Sequence, residues 1–203
     1  VMLPEVQQAV QAATDAGFVS ATADYDVGGM QLPLAVAAAA NAWLSAAGST
    51  TIGYLSLSSA NASLIEAHGS TEQIAKWAAP LRSGRFAGTM AMTEPGAGSG
   101  LADLITRAEP AGDGSYRITG NKIFISGGDH ELNDNIVHLV LARVKGAPKG
   151  VKGISLFIVP KYLVNEDGSL GERNDVALAG LFHKMGGRGH TSTSLNFGEQ
   201  GGA

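Results

Sequence analysis

The residues most suggestive of chemistry lie in a glycine-rich stretch, TEPGAGSG, which runs from Thr93 to Gly100. Glycine has no Cβ, so a ligand can lie close to such a backbone, and several N–H groups can turn toward a phosphate or a polar ring edge. The hydroxyls of Thr93 and Ser99 add two donors. The stretch lacks the Gly-Lys-Ser/Thr of a Walker motif and the strand–helix setting of a dinucleotide fingerprint. On local sequence alone, a surface turn is an equally good interpretation.

Two further segments combine glycines with strand-like sequence. GNKIFISGG, Gly120 to Gly128, ends a strand with an aromatic residue, a hydroxyl residue and two glycines, and HKMGGRGHTSTSLNF, His183 to Phe197, is a glycine-rich loop that enters a strand. Read alone, Phe124 is a core aromatic and Ser126 a turn residue at a strand end. Read with TEPGAGSG, the segments indicate a cleft for a flat ligand.

In this order, MTEPGAGS, ITGNKIFIS and KMG ahead of a closing strand resemble the acyl-CoA dehydrogenase family, and the resemblance covers nearly the whole chain. YRITGNKIFIS, DNIVHLVLARV and KGISLFIVPKYL are most similar to the branch of large enzymes that includes 3-methylmercaptopropionyl-CoA dehydrogenase. The resemblance implies an FAD-dependent α,β-dehydrogenation of an acyl-CoA thioester, in which a proton leaves the α carbon and a hydride passes from the β carbon to flavin N5.

The resemblance also implies which residues contact FAD: Met90, Met92, Thr93, Gly98, Ser99, Phe124, Ile125 and Ser126. Thr93 is expected to hydrogen-bond the flavin ring, and Ser99 to lie between the pyrophosphate and the acyl-CoA, so that it also binds substrate. Phe124 stands where the family usually has Trp. Ser126 replaces the usual Thr and keeps a hydroxyl near the N5 edge.

The chain departs from the family at Gly100, where an Asp usually follows the serine. This departure puts turnover in question more than FAD contact. The family's catalytic base is a Glu from a helical domain that follows the β domain, so we expect the base beyond Ala203 and assign no catalytic residue here. Glu94 is expected to brace the loop. Asp103 and Asp129 are expected to be solvated loop acids.

No metal site is expected. His183 and His190 flank the glycine loop, but seven residues of flexible backbone between two ligands make a poor site. Lys184 and Arg188 could meet phosphates, although an exposed basic loop explains them as well.

The totals exclude several classes of protein. The 203 residues contain no cysteine, so disulfides and thiolate chemistry are excluded and a cytoplasmic protein is the default expectation. The net charge of −4, without a basic cluster, argues against a nucleic-acid binder. The 44% of hydrophobic residues indicates a globular chain, and no apolar run approaches the length of a membrane span.

The elements that must position these residues change character near Phe86. Helical patterns run from Pro4 to near Gly17, over 32–47 and over 51–68, and Ser70 with Gln73 forms a capping box for a fourth helix. Beyond Phe86, alternation predicts a hairpin over Tyr116–Ser126 that turns at Gly120-Asn121, and a last strand over Ser192–Phe197. Apolar runs predict two buried strands, over Ile136–Val144 and Ile154–Val159.

We therefore predict an α+β chain, with an N-terminal helical domain over residues 1–86 and a small antiparallel β-barrel or sandwich over residues 87–203. The family resemblance implies a following helical domain outside this chain, a homodimeric or homotetrameric parent and an electron-transfer flavoprotein as partner. An acyl-CoA oxidase, a non-catalytic FAD- or CoA-binding homologue and a non-enzymatic β-barrel binding module remain alternatives.

Overall fold

Two compact units make up the chain in the computed structural model, which describes Met2 to Ala203. The first contains the residues up to Thr89 with 130–136 and 184–190, and the second contains 90–129, 137–183 and 191–203. The first is built on helices and the second on strands, so the α+β prediction is confirmed. The proposed domain boundary between residues 86 and 87 stays a prediction.

Helices form the frame of the first unit: α1 (Pro4–Asp15), α2 (Leu34–His68), α3 (Thr71–Gln73) and α4 (Ala79–Arg82), with a π-helical turn (Ile74–Ala78) between the last two. The two helices predicted over 32–47 and 51–68 are joined into the single run α2. Gly48 breaks that run with φ −174° and ψ 93°, an extended conformation inside the helix. The predicted break is therefore real, but it is a kink and not a loop.

The capping box at Ser70 is confirmed. Ser70 Oγ accepts from Gln73 N at 3.2 Å, and Gln73 Oε1 accepts from Ser70 N at 2.9 Å, which satisfies two N–H groups that the helix start leaves open. The core of the unit is apolar, with these buried members: Val10, Ala13, Val19, Tyr54 and Leu55.

Nine strands follow: β1 (Phe86–Ala91), β2 (Arg107–Pro110), β3 (Tyr116–Ser126), β4 (Asn135–Val144), β5 (Ile154–Pro160), β6 (Tyr162–Val164), β7 (Leu170–Arg173), β8 (Val176–Leu181) and β9 (Ser192–Phe197). Seven form one sheet in the order β1-β4-β2-β3-β9-β8, with β5 also paired to β4, while β6 and β7 pair separately. β3 pairs with β2 and β9, β5 with β4, and β8 with β9, all antiparallel, whereas β2 pairs with β4 in parallel.

The predicted hairpin over residues 116–126 is wrong, because β3 is one continuous strand of 11 residues. Gly120 does not turn the chain. A Cβ at Gly120 would collide with the Thr106 side chain, whose own Cβ would be 2.8 Å away. The glycine is therefore required for close packing inside the sheet and not for a turn.

The core of the second unit is made of inward-facing strand residues, including Ile118, Ile125, Val140, Leu195 and Phe197, each no more than 1% exposed. Over Met2–Ala203, no helix combines the length and the hydrophobicity that crossing a membrane requires.

Candidate cofactor site

The glycine-rich stretch is reached along β1, whose first half is fixed by α2. Ser58 Oγ accepts from Gly88 N at 3.0 Å, and Asn61 Nδ2 donates to Thr89 O at 3.0 Å. A side chain at position 88 would collide with Asn61, because a Cβ there would lie 2.7 Å from Nδ2. The start of β1 therefore follows a fixed path toward the loop.

Glu94 closes the loop that follows β1. Its backbone exchanges hydrogen bonds with Ala97, at 2.8 Å and 3.1 Å. Its carboxylate accepts from Ile105 N at 2.8 Å and from Thr106 N at 3.0 Å, which fastens the far end of the loop. The expectation that Glu94 braces the loop agrees with this geometry, and its burial leaves no exposed carboxylate to act as a base.

Lys122 joins this loop to β3, and the sequence analysis missed it. Its side chain is fully buried, and Nζ donates to Glu94 Oε1 at 2.8 Å and to Met92 O at 3.0 Å. Next to it, Ile123 N donates to Thr93 O at 2.9 Å. The signal that could have found it is the position of Lys122 on the inward face of an alternating strand. A lysine buried there needs a buried acid such as Glu94 as its partner.

The charges of this pair support each other. Burial is the largest influence on the pKa of Glu94 and raises it, but hydrogen bonds from Ile105, Lys122 and Thr106 together hold that pKa below its usual value. Burial lowers the pKa of Lys122, and the hydrogen bond and the charge of Glu94 oppose this shift. An ammonium only donates and both of its partners accept, so the geometry fits a protonated Lys122.

A β-bulge in β3 sets the direction of Phe124. Between Lys122 and Ile125 the strand has one residue more than its partner β9, and Phe124 has φ +59°. The extra residue brings both Lys122 and Ile125 to the buried side, although their spacing in a regular strand would place them on opposite faces. The Phe124 ring is 58% exposed and lies 4.7 Å from that of Phe182. Phe124 is therefore a displayed aromatic and not a core residue.

Three hydroxyls expected to face the cofactor are available to a ligand. Among the described residues, no group hydrogen-bonds to the hydroxyls of Thr93, Ser99 or Ser126, or to the N–H groups of Gly98 and Ser99. Gly98 and Ser99 are exposed, and Thr93 and Ser126 are half-buried. A polar ring edge or a phosphate needs donors of this kind, so these residues fit FAD.

The apolar members of the predicted set divide into two groups. Met92 is 40% exposed and Met90 is half-buried, so the residues just before the loop present some accessible apolar surface. Ile125 is 1% exposed, and its side chain lies in the core. Only the backbone of Ile125 is left for a ligand, whereas the neighbouring Phe124 and Ser126 present side chains.

The backbone link between Thr93 and Ile123 brings the two predicted runs together. Ser126 lies three residues beyond Ile123 on the same strand, past the bulge at Phe124. Whether Thr93, Ser99 and Ser126 face one cleft stays a prediction.

Gly100 leaves room for a side chain. Its φ of −95° suits any residue, and a Cβ there would meet no atom within 4 Å. The absence of the family's usual Asp is therefore not imposed by packing.

Asp129 corrects one expectation. It was predicted to be a solvated loop acid, but it accepts from Lys161 Nζ at 2.8 Å and from Arg173 at 3.0 Å. Burial, the largest influence, raises its pKa, and these two cations outweigh that effect and lower it. Asp103 is exposed, as expected.

The basic loop after β8 has its own contacts within the first unit. His190 packs beside Gly53 and Tyr54, with its ring centroid 6.2 Å from that of Tyr54. Arg188 Nε donates to Lys184 O at 2.8 Å. Among the residues described, no group of three or more histidine or acidic side chains could hold a metal ion.

Comparison with known families now identifies the relationship. The sequence pattern of the acyl-CoA dehydrogenase N-terminal domain matches residues 3–85, and that of the acyl-CoA dehydrogenase middle domain matches residues 89–199. The chain belongs to the acyl-CoA dehydrogenase family. The resemblance stated from the three motifs is confirmed.

Relatives of this family member include large enzymes. The chain is 41% identical over 199 residues to 3-methylmercaptopropionyl-CoA dehydrogenase of Ruegeria pomeroyi. The aligned region covers 97% of this chain and 34% of that protein. It is also 39% identical over 201 residues to a butyryl-CoA dehydrogenase of Syntrophomonas wolfei. That aligned region covers 98% of this chain and 33% of that protein. The chain thus spans about a third of the length of these curated relatives.

Solved structures of the acyl-CoA dehydrogenase family share the fold. An acyl-CoA dehydrogenase of Geobacillus kaustophilus matches with a TM-score of 0.74 and 28% identity, over 97% of this chain and 47% of that chain. An acyl-CoA dehydrogenase of Bacillus anthracis, complexed with FAD, matches with a TM-score of 0.71 and 25% identity, over 95% of this chain and 32% of that chain.

Proposed function

We propose that the complete protein is an FAD-dependent acyl-CoA dehydrogenase that oxidises an acyl-CoA thioester between its α and β carbons. The observation that carries the proposal is the set of three hydroxyls, on Thr93, Ser99 and Ser126, that no described group of the chain engages. Family membership and the FAD-bound relative support it.

FAD, when bound, supplies the two-electron acceptor for this oxidation. The residues of this chain hold and orient it. The Thr93 and Ser126 hydroxyls are proposed to donate to the ring edge, and the Gly98 and Ser99 N–H groups to the pyrophosphate, with Ser99 also meeting the substrate. The exposed ring of Phe124 would cover an apolar part of the flavin. Met90, Met92 and the Ile125 backbone complete the proposed contacts.

The remaining parts of the proposal concern the whole protein. We propose that a carboxylate beyond residue 203 takes the α proton, because Glu94 is buried and the chain spans about a third of the length of its curated relatives. We also propose that the complete protein is a homodimer or homotetramer, that it passes electrons to an electron-transfer flavoprotein, and that it is located in the cytoplasm. The names of the relatives make 3-methylmercaptopropionyl-CoA and butyryl-CoA the first substrates to test.

The test is made on the complete protein. We expect it to bind FAD and to reduce a dye when either acyl-CoA is added. Thr93→Ala should lower the flavin reduction potential, because a hydrogen bond to the charge gained on reduction is worth about 1.5–3 kcal/mol. Thr71→Ala, an exposed threonine on α3, is the matched control. A protein without bound flavin, or an unchanged potential in Thr93→Ala, would contradict the proposal.

A second candidate function is favoured by Gly100. A homologue that binds FAD and turns nothing over would lack the carboxylate that usually follows the serine. The open space at Gly100 makes Gly100→Asp a direct test, because a Cβ there would meet no atom within 4 Å. A catalytic protein should keep its turnover, and Asp should lower its KM. A non-catalytic homologue should stay inactive in both forms. Gly100→Ala is the control, because it restricts the backbone as Asp does but adds no carboxylate.

A further inference from the structure

The two runs proposed to contact FAD belong to separate segments of the chain. One follows β1 at Met92 and Thr93, and the other is the bulged end of β3. Lys122 lies where they meet, and both of its hydrogen-bond acceptors, Met92 O and Glu94 Oε1, belong to the first run. The position of the Thr93 hydroxyl therefore depends on a side chain of the other segment.

Stability does not explain why a lysine occupies this position. Burying an ammonium and a carboxylate removes both from water, and an apolar pair of similar volume often holds a fold at least as well. The side chains of Lys122 and Glu94 are 0% and 2% exposed, so the desolvation is nearly complete. An apolar side chain, however, cannot donate a hydrogen bond to the Met92 carbonyl oxygen, and so it cannot fix the adjacent peptide as Lys122 does.

Glu94 extends the same link to the far side of the loop. Its carboxylate receives Lys122 together with the N–H groups of Ile105 and Thr106. One buried ion pair thus fastens the end of β1, the start of β2 and the middle of β3. The exposed glycines between them remain the part of the loop that is open to a ligand.

We propose that Lys122 is a positioning residue for the cofactor, which acts by holding the peptide between Met92 and Thr93 so that the Thr93 hydroxyl meets the flavin ring. Glu94 neutralises Lys122 and ties the rest of the loop to it. This inference rests on the proposed function, since it gives the ion pair a role in the same site.

The test compares removal of one charge with removal of both, in the complete FAD-loaded protein. Lys122→Met strands a buried carboxylate, so it should fold poorly. Lys122→Met/Glu94→Gln removes both charges and keeps one oxygen that can accept from one of the two N–H groups, which bond to separate oxygens of Glu94. We expect this double variant to fold but to bind FAD about tenfold more weakly, because the hydrogen bond from the displaced Thr93 hydroxyl to the flavin ring is lost.

Readouts other than turnover separate positioning from simple stability. The double variant should also show a shifted flavin reduction potential and an altered visible spectrum. Unchanged FAD affinity and potential in a folded double variant would overturn the proposal. If the double variant does not fold, Lys122→Arg replaces it, because it keeps the cation but moves the donor. Its potential should shift, and an unshifted potential would overturn the proposal.

The chain contains a matched control. Lys161 and Asp129 form a second buried lysine–carboxylate pair in the same unit, with Lys161 3% exposed and Nζ at 2.8 Å from Oδ1. Lys161→Met/Asp129→Asn should change the melting temperature while leaving FAD affinity and flavin potential as they were. Equal flavin shifts in both double variants would overturn the proposal. Failure of the unsubstituted protein to bind FAD would instead contradict the proposed function.

Discussion

At the scale of single residues, the candidate site depends on groups held in costly states. Phe124 is a non-glycine residue with positive φ, and Lys122 and Glu94 are buried ions. Each cost is met by neighbours, because the pairing of β3 with β9 imposes the bulge and the two charges compensate each other. Strain and buried charge of this kind are common where a protein must hold a ligand in one geometry.

The backbone cost at Phe124 can be measured. A side chain with a Cβ in the left-handed region costs roughly 1–2 kcal/mol, and glycine avoids that cost. Phe124→Gly should therefore be more stable than Phe124→Ala by about 1 kcal/mol, although both lose the ring contact with Phe182. Chemical denaturation of the two variants gives the difference. Equal stabilities would show that the positive φ is not a strained feature.

The lowered pKa of Glu94 predicts how stability depends on pH. The pKa of an unfolded Glu is about 4.3, and the folded value lies below it. The stabilisation is therefore complete above the unfolded pKa and is lost as pH falls through the folded pKa. Glu94→Gln should lower stability at neutral pH and flatten its decline between about pH 5 and pH 3. Denaturation across this range provides the measurement, and an equal slope in both proteins would contradict the assignment.

At the scale of elements, packing decides what the sequence pattern leaves ambiguous. β9 and the capping box at Ser70 were predictable because alternation and N-cap chemistry are local signals. The continuity of β3 was not, because Gly120 resembles a turn residue and its packing against Thr106 depends on a residue 14 positions earlier. The burial of Lys122 was missed for the same reason, since its partner Glu94 lies 28 positions away.

The role of Gly120 gives a prediction about β3. Gly120→Ala should destabilise the chain by about 1–3 kcal/mol, because the added methyl group overlaps the Thr106 side chain inside a packed sheet. Gly180→Ala in β8 is the matched control, since a Cβ there meets no atom within 4 Å. Denaturation midpoints should separate the two variants. Equal midpoints in the two variants would contradict the close packing of Gly120 against Thr106.

At the scale of the whole molecule, the chain supplies one part of the proposed site. It spans about a third of the length of its curated relatives, and the three hydroxyl residues proposed to face the cofactor, Thr93, Ser99 and Ser126, are exposed or half-buried. A ligand held from one side keeps fewer contacts but still loses its translational and rotational freedom. The predicted contacts with an acyl-CoA and with a second subunit are therefore properties of the complete protein.

Residues 1–203 produced alone should therefore bind FAD more weakly than the complete protein, by at least about tenfold, which corresponds to about 1.4 kcal/mol. They should also show no dye reduction with an acyl-CoA, because the proposed base lies outside them. Flavin fluorescence titration of both proteins gives the comparison. Equal affinity together with turnover would mean that the base lies within these residues.

The position of β9 between β3 and β8 has a consequence for synthesis on the ribosome. β3 ends at Ser126 and β9 begins at Ser192, so 192 − 126 = 66 residues must be translated before the edge of β3 can be covered. At about 5–20 residues per second this takes roughly 3–13 seconds. During that time the nascent chain carries an open strand edge, which can pair with another chain. Holdase chaperones that bind emerging strands should therefore raise the soluble yield of this protein more than chaperones that act after release.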